Sequence, residues 1–236
     1  MVDDARRGFA LTTDAFADID ASRPARGECS AAIRASQFTY QYTVKRAIDV
    51  VGAVLLLVTA ALPMVVIAIA VRLSLGRPVI FRQTRVGQQG SLFTIYKFRT
   101  MLSDRRVCER ELTGVDRRAS HKCDHDPRLK PLGSRLRRWS LDELPQLWNV
   151  IRGDMSLVGP RPELPRLVDG YAPWQHERHD VKPGLTGFWQ VYARGDSVMH
   201  ERTDLDIAYV RRVCLSTDLK ILLLTIPAIV GLKRGY

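Results

Sequence analysis

The sequence predicts an α+β protein in which an N-terminal membrane helix hairpin precedes a small, mainly helical domain with a short β-hairpin and interfacial amphipathic helices. Three observations support this prediction. Residues 50–71 contain no charged side chain, two short apolar runs flank a glycine-bounded turn at 87–90, and apolar residues around 144–151 recur at helical spacing. The 236 residues, of which 46% are hydrophobic, suffice for one folded domain and a short appendage.

Three segments follow from these patterns. Residues 1–42 mix Ala, Asp, Arg, Ser and Thr without apolar periodicity, which predicts a flexible leader. This leader lacks the features of a secretory signal, so we expect it to stay in the cytoplasm. Residues 43–75 are predicted to form the membrane segment, and residues 76–236 are predicted to form the folded cytoplasmic domain. Wide spacing of the cysteines argues against a disulfide framework and favours a reducing compartment; they are Cys29, Cys108, Cys123 and Cys214.

The membrane segment is long enough to cross a hydrocarbon layer of about 30 Å. Pro63 interrupts it, and an internal proline removes one helical hydrogen bond and predicts a kink. Each arm on its own is too short to cross. Basic residues flank both ends, which places both ends on the cytoplasmic side; they are Lys45, Arg46, Arg72, Arg77, Arg82 and Arg85. A re-entrant helix kinked at Pro63 is therefore favoured, with a spanning helix and a buried core helix as alternatives.

The elements after the membrane segment can be assigned in order. Runs at 78–81 and 91–98 around the turn at 87–90 predict a β-hairpin. The charged segment 102–126 is expected to be a mobile insert. Apolar residues predict a partly buried helix that stops before Gly153; they are Leu144, Leu147, Trp148 and Ile151. Residues 218–232 predict an interfacial amphipathic helix, whose apolar face permits a homodimer.

The formal net charge of +11 favours anionic partners such as lipid headgroups, nucleotides or nucleic acid. Nucleic acid is disfavoured, because the arginines accompany a membrane segment and no familiar nucleic-acid motif is present. His121, Cys123 and His125, with the distant Cys108, do not have the spacing of a structural zinc site. The membrane surface and phosphorylated ligands therefore remain as the favoured partners.

Asp142 and Glu143 form the strongest candidate site. These adjacent carboxylates begin a helix directly after a basic cluster that includes Arg137. Ser140 and Glu143 also have the spacing of a capping box, although Pro145 argues against capping as the purpose. A carboxylate beside arginines can attack phosphorus while a hard divalent ion holds carboxylate and phosphate oxygens. The pattern therefore indicates phosphoryl transfer.

Two loops could bind phosphate. Arg161 lies between Pro160 and Pro162, which restricts the backbone and presents the guanidinium at low entropic cost, although a surface loop with a salt-bridged arginine has the same pattern. The glycines in 182–187 allow backbone N–H groups to approach an anion, and an ordinary turn is the alternative.

Taken together and in this order, the motifs resemble the bacterial sugar transferase family, also called monotopic phosphoglycosyl transferases. The resemblance covers roughly residues 44–236. It is carried by the segments 45–49, 79–87, 96–101, 126–128, 140–147, 155–162, 182–191 and 218–220.

The resemblance implies an enzyme of the bacterial inner membrane, with its catalytic domain on the cytoplasmic face. Asp142 would attack the β-phosphate of a UDP-sugar, release UMP and form a phosphosugar ester, which undecaprenyl (polyprenyl) phosphate then accepts as exopolysaccharide synthesis begins. Glu143 would partner Asp142, and both would hold Mg²⁺. The resemblance assigns phosphate or nucleotide binding to basic residues and adds one acid of less certain role; they are Lys97, Arg137, Arg161, Arg194 and Asp218.

The sequence departs from the family pattern at two positions. The family commonly has Ser-Pro at the membrane kink, where this chain has Leu62-Pro63. This departure weakens the prediction of a re-entrant geometry, because no serine hydroxyl lies beside the proline to satisfy a freed carbonyl, and Thr59 is the alternative hydroxyl. Ala193 replaces the usual glycine before Arg194. The chain resembles the compact members of the family, and its spacing does not encode the donor sugar. A non-catalytic scaffold that binds anionic lipid is the competing hypothesis, and it would tolerate Asp142→Asn.

Overall fold

The computed structural model describes residues 40–102, 128–193 and 202–230. Most of the predicted leader, the insert after Leu102, the His/Cys motif and Arg194 lie outside the described residues. The helices are α1 (Lys45–Leu75), α2 (Pro131–Arg138), α3 (Leu147–Arg152), α4 (Pro165–Val168), α5 (Thr203–Val210) and α6 (Leu215–Val230). The strands are β1 (Ile80–Val86), β2 (Leu92–Phe98), β3 (Ser156–Val158) and β4 (Gly184–Thr186). The predicted mixture of helix and sheet is confirmed.

Helix α1 is the one helix among the described residues that is long and apolar enough to cross a membrane. Its apolar side chains are largely exposed, with Val58 69%, Leu62 74% and Leu73 81% accessible. The alternative of a buried core helix is therefore wrong. The helix is continuous through Pro63, so the re-entrant hairpin is not confirmed as two separate arms. Pro63 has no N–H, so the carbonyl of Thr59, four residues earlier, lacks its helical donor. The Thr59 hydroxyl does not satisfy that carbonyl, because it donates to the carbonyls of Leu55 and Leu56 instead.

Both ends of α1 pack on the folded domain. Near its beginning, Ala53 is buried in the main hydrophobic core, and the Arg46 guanidinium donates to the carbonyls of Val150 at 2.6 Å and Ile151 at 2.7 Å. Near its end, Val71 and Leu75 are buried in a second cluster that includes Phe98 and Leu136. Leu144 packs against both clusters, so the two ends of the helix contact one folded unit.

The predicted β-hairpin is confirmed. Strands β1 and β2 pair antiparallel from Ile80 opposite Phe98 to Val86 opposite Leu92. The first strand is longer than the predicted run at 78–81, because backbone pairing continues to Val86. A short 3-10 turn (Gln88–Gly90) connects the strands, with Gln89 at φ 55° and Gly90 at φ 77°. Pairing places Phe81 opposite Lys97, whose side chain is 17% exposed.

The rest of the domain packs around a small parallel sheet of β3 and β4. Gly159 and Gly184 lie at a close crossing of two backbones, since a Cβ on Gly159 would lie 2.4 Å from the Lys182 carbonyl oxygen. Helix α6 confirms the predicted C-terminal helix: Ile221 is buried, whereas apolar residues one turn apart on its other face are exposed. These exposed residues are Leu215, Leu219, Leu223 and Ile226. Its position at a membrane surface stays a prediction.

Candidate active site

Asp142 and Glu143 lie on a 3-10 helix (Leu141–Gln146) that connects α2 to α3. The chain turns sharply before it, because Ser140 adopts a left-handed conformation with φ 55°. The Ser140 side chain makes no capping hydrogen bond, and the Glu143 carboxylate binds two cations. The capping-box alternative is therefore wrong, and the pair of carboxylates points into the site.

Two cations from distant segments hold the Glu143 carboxylate. Lys97, near the end of β2, places its Nζ 2.8 Å from Oε1 of Glu143. Arg161 places NH2 at 2.5 Å from Oε1 and NH1 at 3.3 Å from Oε2. The Glu143 side chain is only 13% exposed, so these contacts are little screened by solvent. The structure thus brings together five of the predicted site residues, Lys97, Arg137, Asp142, Glu143 and Arg161.

These contacts keep Glu143 ionised. Burial alone would raise the pKa of its carboxyl, but the charges and hydrogen bonds of Arg161 and Lys97 outweigh burial and hold the pKa below its usual value. Burial lowers the pKa of Lys97, and the adjacent Glu143 carboxylate opposes that effect. Glu143 is therefore a fixed anion that anchors two cations at the site.

Asp142 behaves differently. Its side chain is buried, and burial followed by the charge of Glu143 raises its pKa to about 6, against opposing effects of Lys97, Arg137 and Arg161. At neutral pH the carboxylate is thus mostly ionised but poorly solvated. A desolvated anion facing several cations is suited to nucleophilic attack on a phosphorylated ligand.

Arg137 reaches the site from the last turn of α2. Its Nε donates to the Thr100 hydroxyl at 2.9 Å. Close packing fixes the helix there, because a Cβ on Gly133 would lie 2.0 Å from the Thr100 carbonyl oxygen. The basic cluster before Asp142 is thereby held against Thr100, which lies just beyond the end of β2.

The loop that presents Arg161 is tied by backbone hydrogen bonds along its length. The Gly159 N–H donates to the Thr186 carbonyl, and the Gly184 N–H donates to the Pro160 carbonyl, each at 2.8 Å. The segment 182–187 thus serves as a brace for the Arg161 loop. The alternative of a surface loop with a salt-bridged arginine is thus met in part, because Arg161 does form a salt bridge, with Glu143, in a loop that is braced by backbone hydrogen bonds.

Sequence reasoning missed the buried residues behind this loop. Arg178 and Glu163 are each 2% exposed, and Asp206 is 1% exposed. Arg178 donates to the Arg161 carbonyl and pairs with Asp206. Arg178 lies in a polar segment (Pro173–Asp180), and Asp206 lies on a separate helix, so neither local periodicity nor spacing gave a signal of their burial.

Asp218 belongs to a second cluster. Its carboxylate accepts hydrogen bonds from Lys45 at 2.5 Å and from the hydroxyls of Tyr209 and Tyr40, each at 2.8 Å. These partners join the beginning of α1 to α6. The contacts of Asp218 therefore connect helix α1 to the domain and do not include the Glu143 cluster.

A metal ion at this site would need ligands from elsewhere. Among the described residues, no three His, Cys, Asp or Glu side chains lie close enough to hold a metal together. Asp142 and Glu143 supply at most two protein carboxylates, and both Glu143 oxygens already accept from cations. Mg²⁺ is commonly bound by one or two carboxylates together with phosphate oxygens of a substrate. At most these two carboxylates would therefore hold such an ion, and the oxygens of a phosphorylated ligand would supply its other ligands.

Comparisons with known proteins show the family of this chain. The model of the family described as bacterial sugar transferase matches residues 40–231. The chain is 40% identical over 183 residues to the uncharacterized sugar transferase EpsL of Bacillus subtilis (strain 168). That alignment covers 78% of this chain and 85% of EpsL. The chain is also 39% identical over 198 residues to the exopolysaccharide production protein ExoY of Rhizobium meliloti (strain 1021). This second alignment covers 81% of the chain and 87% of ExoY.

A longer relative matches equally well. The chain is 40% identical over 195 residues to the UDP-glucose:undecaprenyl-phosphate glucose-1-phosphate transferase of Escherichia coli (strain K12). That alignment covers 78% of this chain and 39% of the relative. The chain therefore spans most of EpsL and ExoY and well under half of the longer relative.

Proposed function

We propose that this chain, which belongs to the bacterial sugar transferase family, transfers a sugar-1-phosphate from a UDP-sugar to undecaprenyl (polyprenyl) phosphate, as the initiating step of exopolysaccharide or related glycan synthesis. The observation that carries the proposal is the buried Asp142 carboxyl beside Glu143, whose two oxygens bind Lys97 and Arg161. The name of the Escherichia coli relative supports this reaction class, and the name of ExoY supports a role in exopolysaccharide production.

The proposed reaction has two displacements at one phosphorus atom. An oxygen of the Asp142 carboxylate attacks the β-phosphorus of the UDP-sugar, and the bond from that phosphorus to the bridging oxygen breaks. UMP leaves with the bridging oxygen, and a phosphosugar ester of Asp142 remains. A phosphate oxygen of the polyprenyl phosphate then attacks the same phosphorus, which releases the Asp142 carboxylate and forms the diphosphate-linked product.

The cations around the carboxylates fit this chemistry. Lys97, Arg137 and Arg161 neutralise charge on the diphosphate, and their fixed attachments spare the cost of ordering them during the reaction. Mg²⁺ supplies further neutralisation of the diphosphate when it is bound. Asp142 and Glu143 would hold it, with donor phosphate oxygens as the remaining ligands. Arg194 stays a predicted nucleotide contact.

The packing of α1 supports a re-entrant helix that enters and leaves on the cytoplasmic face. Arg46 near its beginning and Leu75 at its end both contact the same folded domain. A helix that crossed the membrane would place these ends on opposite sides of a layer of about 30 Å. A domain on one face could not then contact both ends. Membrane lipid is accordingly the partner of the exposed apolar residues between them.

Cysteine labelling tests this topology. In a cysteine-free variant, Ala47→Cys and Ser74→Cys place one exposed thiol at each end of α1. A membrane-impermeant maleimide should label both thiols in inverted inner-membrane vesicles and neither in intact spheroplasts. Labelling of the two positions from opposite sides would establish a spanning helix instead.

UMP release tests the reaction itself. Membranes that contain the protein are incubated with Mg²⁺, undecaprenyl phosphate and a panel of UDP-sugars, including UDP-glucose and UDP-galactose. Wild type and Asp204→Asn, a control that removes an exposed carboxylate, should release UMP with one or more donors. Asp142→Asn should release none. Equal lipid binding by all three proteins without UMP release by any of them would support the scaffold alternative.

A further inference from the structure

Arg178 is a fully buried arginine that the proposed reaction does not use. It is 2% exposed and lies in the segment Pro173–Asp180. Its NH2 group lies 2.5 Å from a carboxylate oxygen of Asp206 on α5, and both side chains are 1% exposed. Burying two opposite charges costs much solvation free energy, and a well-packed apolar pair is often as stable. Stability alone therefore does not account for this pair.

The guanidinium of Arg178 connects three segments of the chain. Besides Asp206, it donates from NH1 to the Tyr171 hydroxyl at 2.6 Å. From NH2 it also donates to the backbone carbonyl of Arg161 at 2.7 Å. The residue that it holds by its backbone is thus the one whose side chain binds Glu143.

The neighbouring carbonyls of the loop are held in the same way. Arg85 NH1 lies 3.3 Å from the Pro162 carbonyl oxygen and from a Glu163 carboxylate oxygen. The Val86 N–H donates to the Glu163 carbonyl at 2.9 Å. The contact from Arg178 is made to the backbone of Arg161 itself. The placement of the Arg161 guanidinium therefore depends directly on Arg178.

We propose that the buried pair of Arg178 and Asp206 positions Arg161 on Glu143 for the phosphoryl transfer. The inference rests on the proposed function, and it makes Arg178 a positioning residue that acts through Arg161. A fork-shaped guanidinium can reach Asp206, Tyr171 and the Arg161 carbonyl together, whereas a lysine ammonium keeps the charge and loses the fork. Small displacements of groups at a reacting centre are costly, because the rate depends steeply on their alignment.

A double-mutant cycle on the full-length protein in nanodiscs tests the proposal. Arg178→Lys should lower kcat/KM for the UDP-sugar by about 10- to 100-fold. The change in kcat relative to the change in KM should be the same for Arg178→Lys as for Arg161→Lys. In an Arg161→Ala background, Arg178→Lys should cost less than about twofold more, since its effect passes through the missing guanidinium. Equal fold-losses in both backgrounds, or no loss in either, would overturn the proposal.

Hydrogen exchange gives a second readout that needs no turnover. Arg178→Lys should speed amide exchange in peptides that cover 159–163, and leave exchange in α3 unchanged. Arg211→Gln is the matched control, because it removes a nearby arginine from an exposed ion pair with Glu177. Unchanged exchange in 159–163 contradicts the positioning role. If wild type releases no UMP with any donor, the proposed function fails, and exchange alone decides whether Arg178 holds the loop.

Discussion

Lowering the pH through about 6 should switch off attack by Asp142. Burial and the charge of Glu143 raise the pKa of this carboxyl from 3.8 to about 6, which corresponds to roughly 3 kcal/mol against the ionised form. The nucleophile must be ionised, so activity is present above the raised pKa and is lost as the pH falls through it. With a pKa near 6, kcat/KM should fall about tenfold between pH 7 and pH 5.

An ordinary carboxyl predicts a different profile. With an unshifted pKa, the loss between pH 7 and pH 5 would be under about 10%, so the two cases are easily separated. Glu143→Gln gives an internal check. It removes the charge that, after burial, does most to raise the pKa of Asp142, so the acidic limb should move to lower pH even though the rate falls.

The assay is the initial rate of UMP release over a pH series at subsaturating UDP-sugar. The profile of kcat/KM reports ionisations of the free enzyme and donor, so the pKa of free Asp142 applies. In a two-step displacement this constant covers only the steps up to UMP release, and titration of the acceptor phosphate does not enter. Intrinsic tryptophan fluorescence verifies folding at each pH. A flat profile down to pH 5 from folded enzyme would refute the reasoning.

Three further predictions concern stability and metal. Lys45→Met should lower stability by about 3–5 kcal/mol, because it leaves the buried Asp218 carboxylate without its cation; an unchanged melting temperature would contradict this. Gly159→Ala should destabilise the fold by about 1–3 kcal/mol in denaturant melts, since its Cβ meets a backbone carbonyl, whereas Gly170→Ala, with its nearest contact at 3.6 Å, should not. EDTA should abolish UMP release and leave the melting temperature unchanged, because the described residues lack a three-ligand metal cluster; a large fall in melting temperature would indicate a structural metal instead.

Local patterns predicted much of the fold. The turn at 87–90 between apolar runs predicted the β-hairpin, and the spacing of Leu144, Leu147 and Ile151 predicted the helix that ends before Gly153. These predictions succeed because turn chemistry and periodicity act within a few residues. The adjacent carboxylates Asp142 and Glu143 were recognisable for the same reason.

Long-range contacts were not predictable in this way. Glu143 has the spacing of a capping residue after Ser140, and only the folded chain shows that Lys97 and Arg161 bind it instead. Asp218 was grouped with the site residues as an acid of less certain role, and it pairs with Lys45, far away in the sequence. Burial of charged residues depends on such partners, and spacing within one segment does not reveal them.

The most direct test of the central claim is to trap the covalent intermediate. The purified protein is incubated with Mg²⁺ and a UDP-sugar labelled in its β-phosphate, without polyprenyl phosphate, then denatured and digested for mass spectrometry. The account predicts one phosphosugar per chain, carried by the peptide that contains Asp142, and its loss when undecaprenyl phosphate is added. Turnover of the donor without any adduct on Asp142, or with an adduct on another residue, would contradict it.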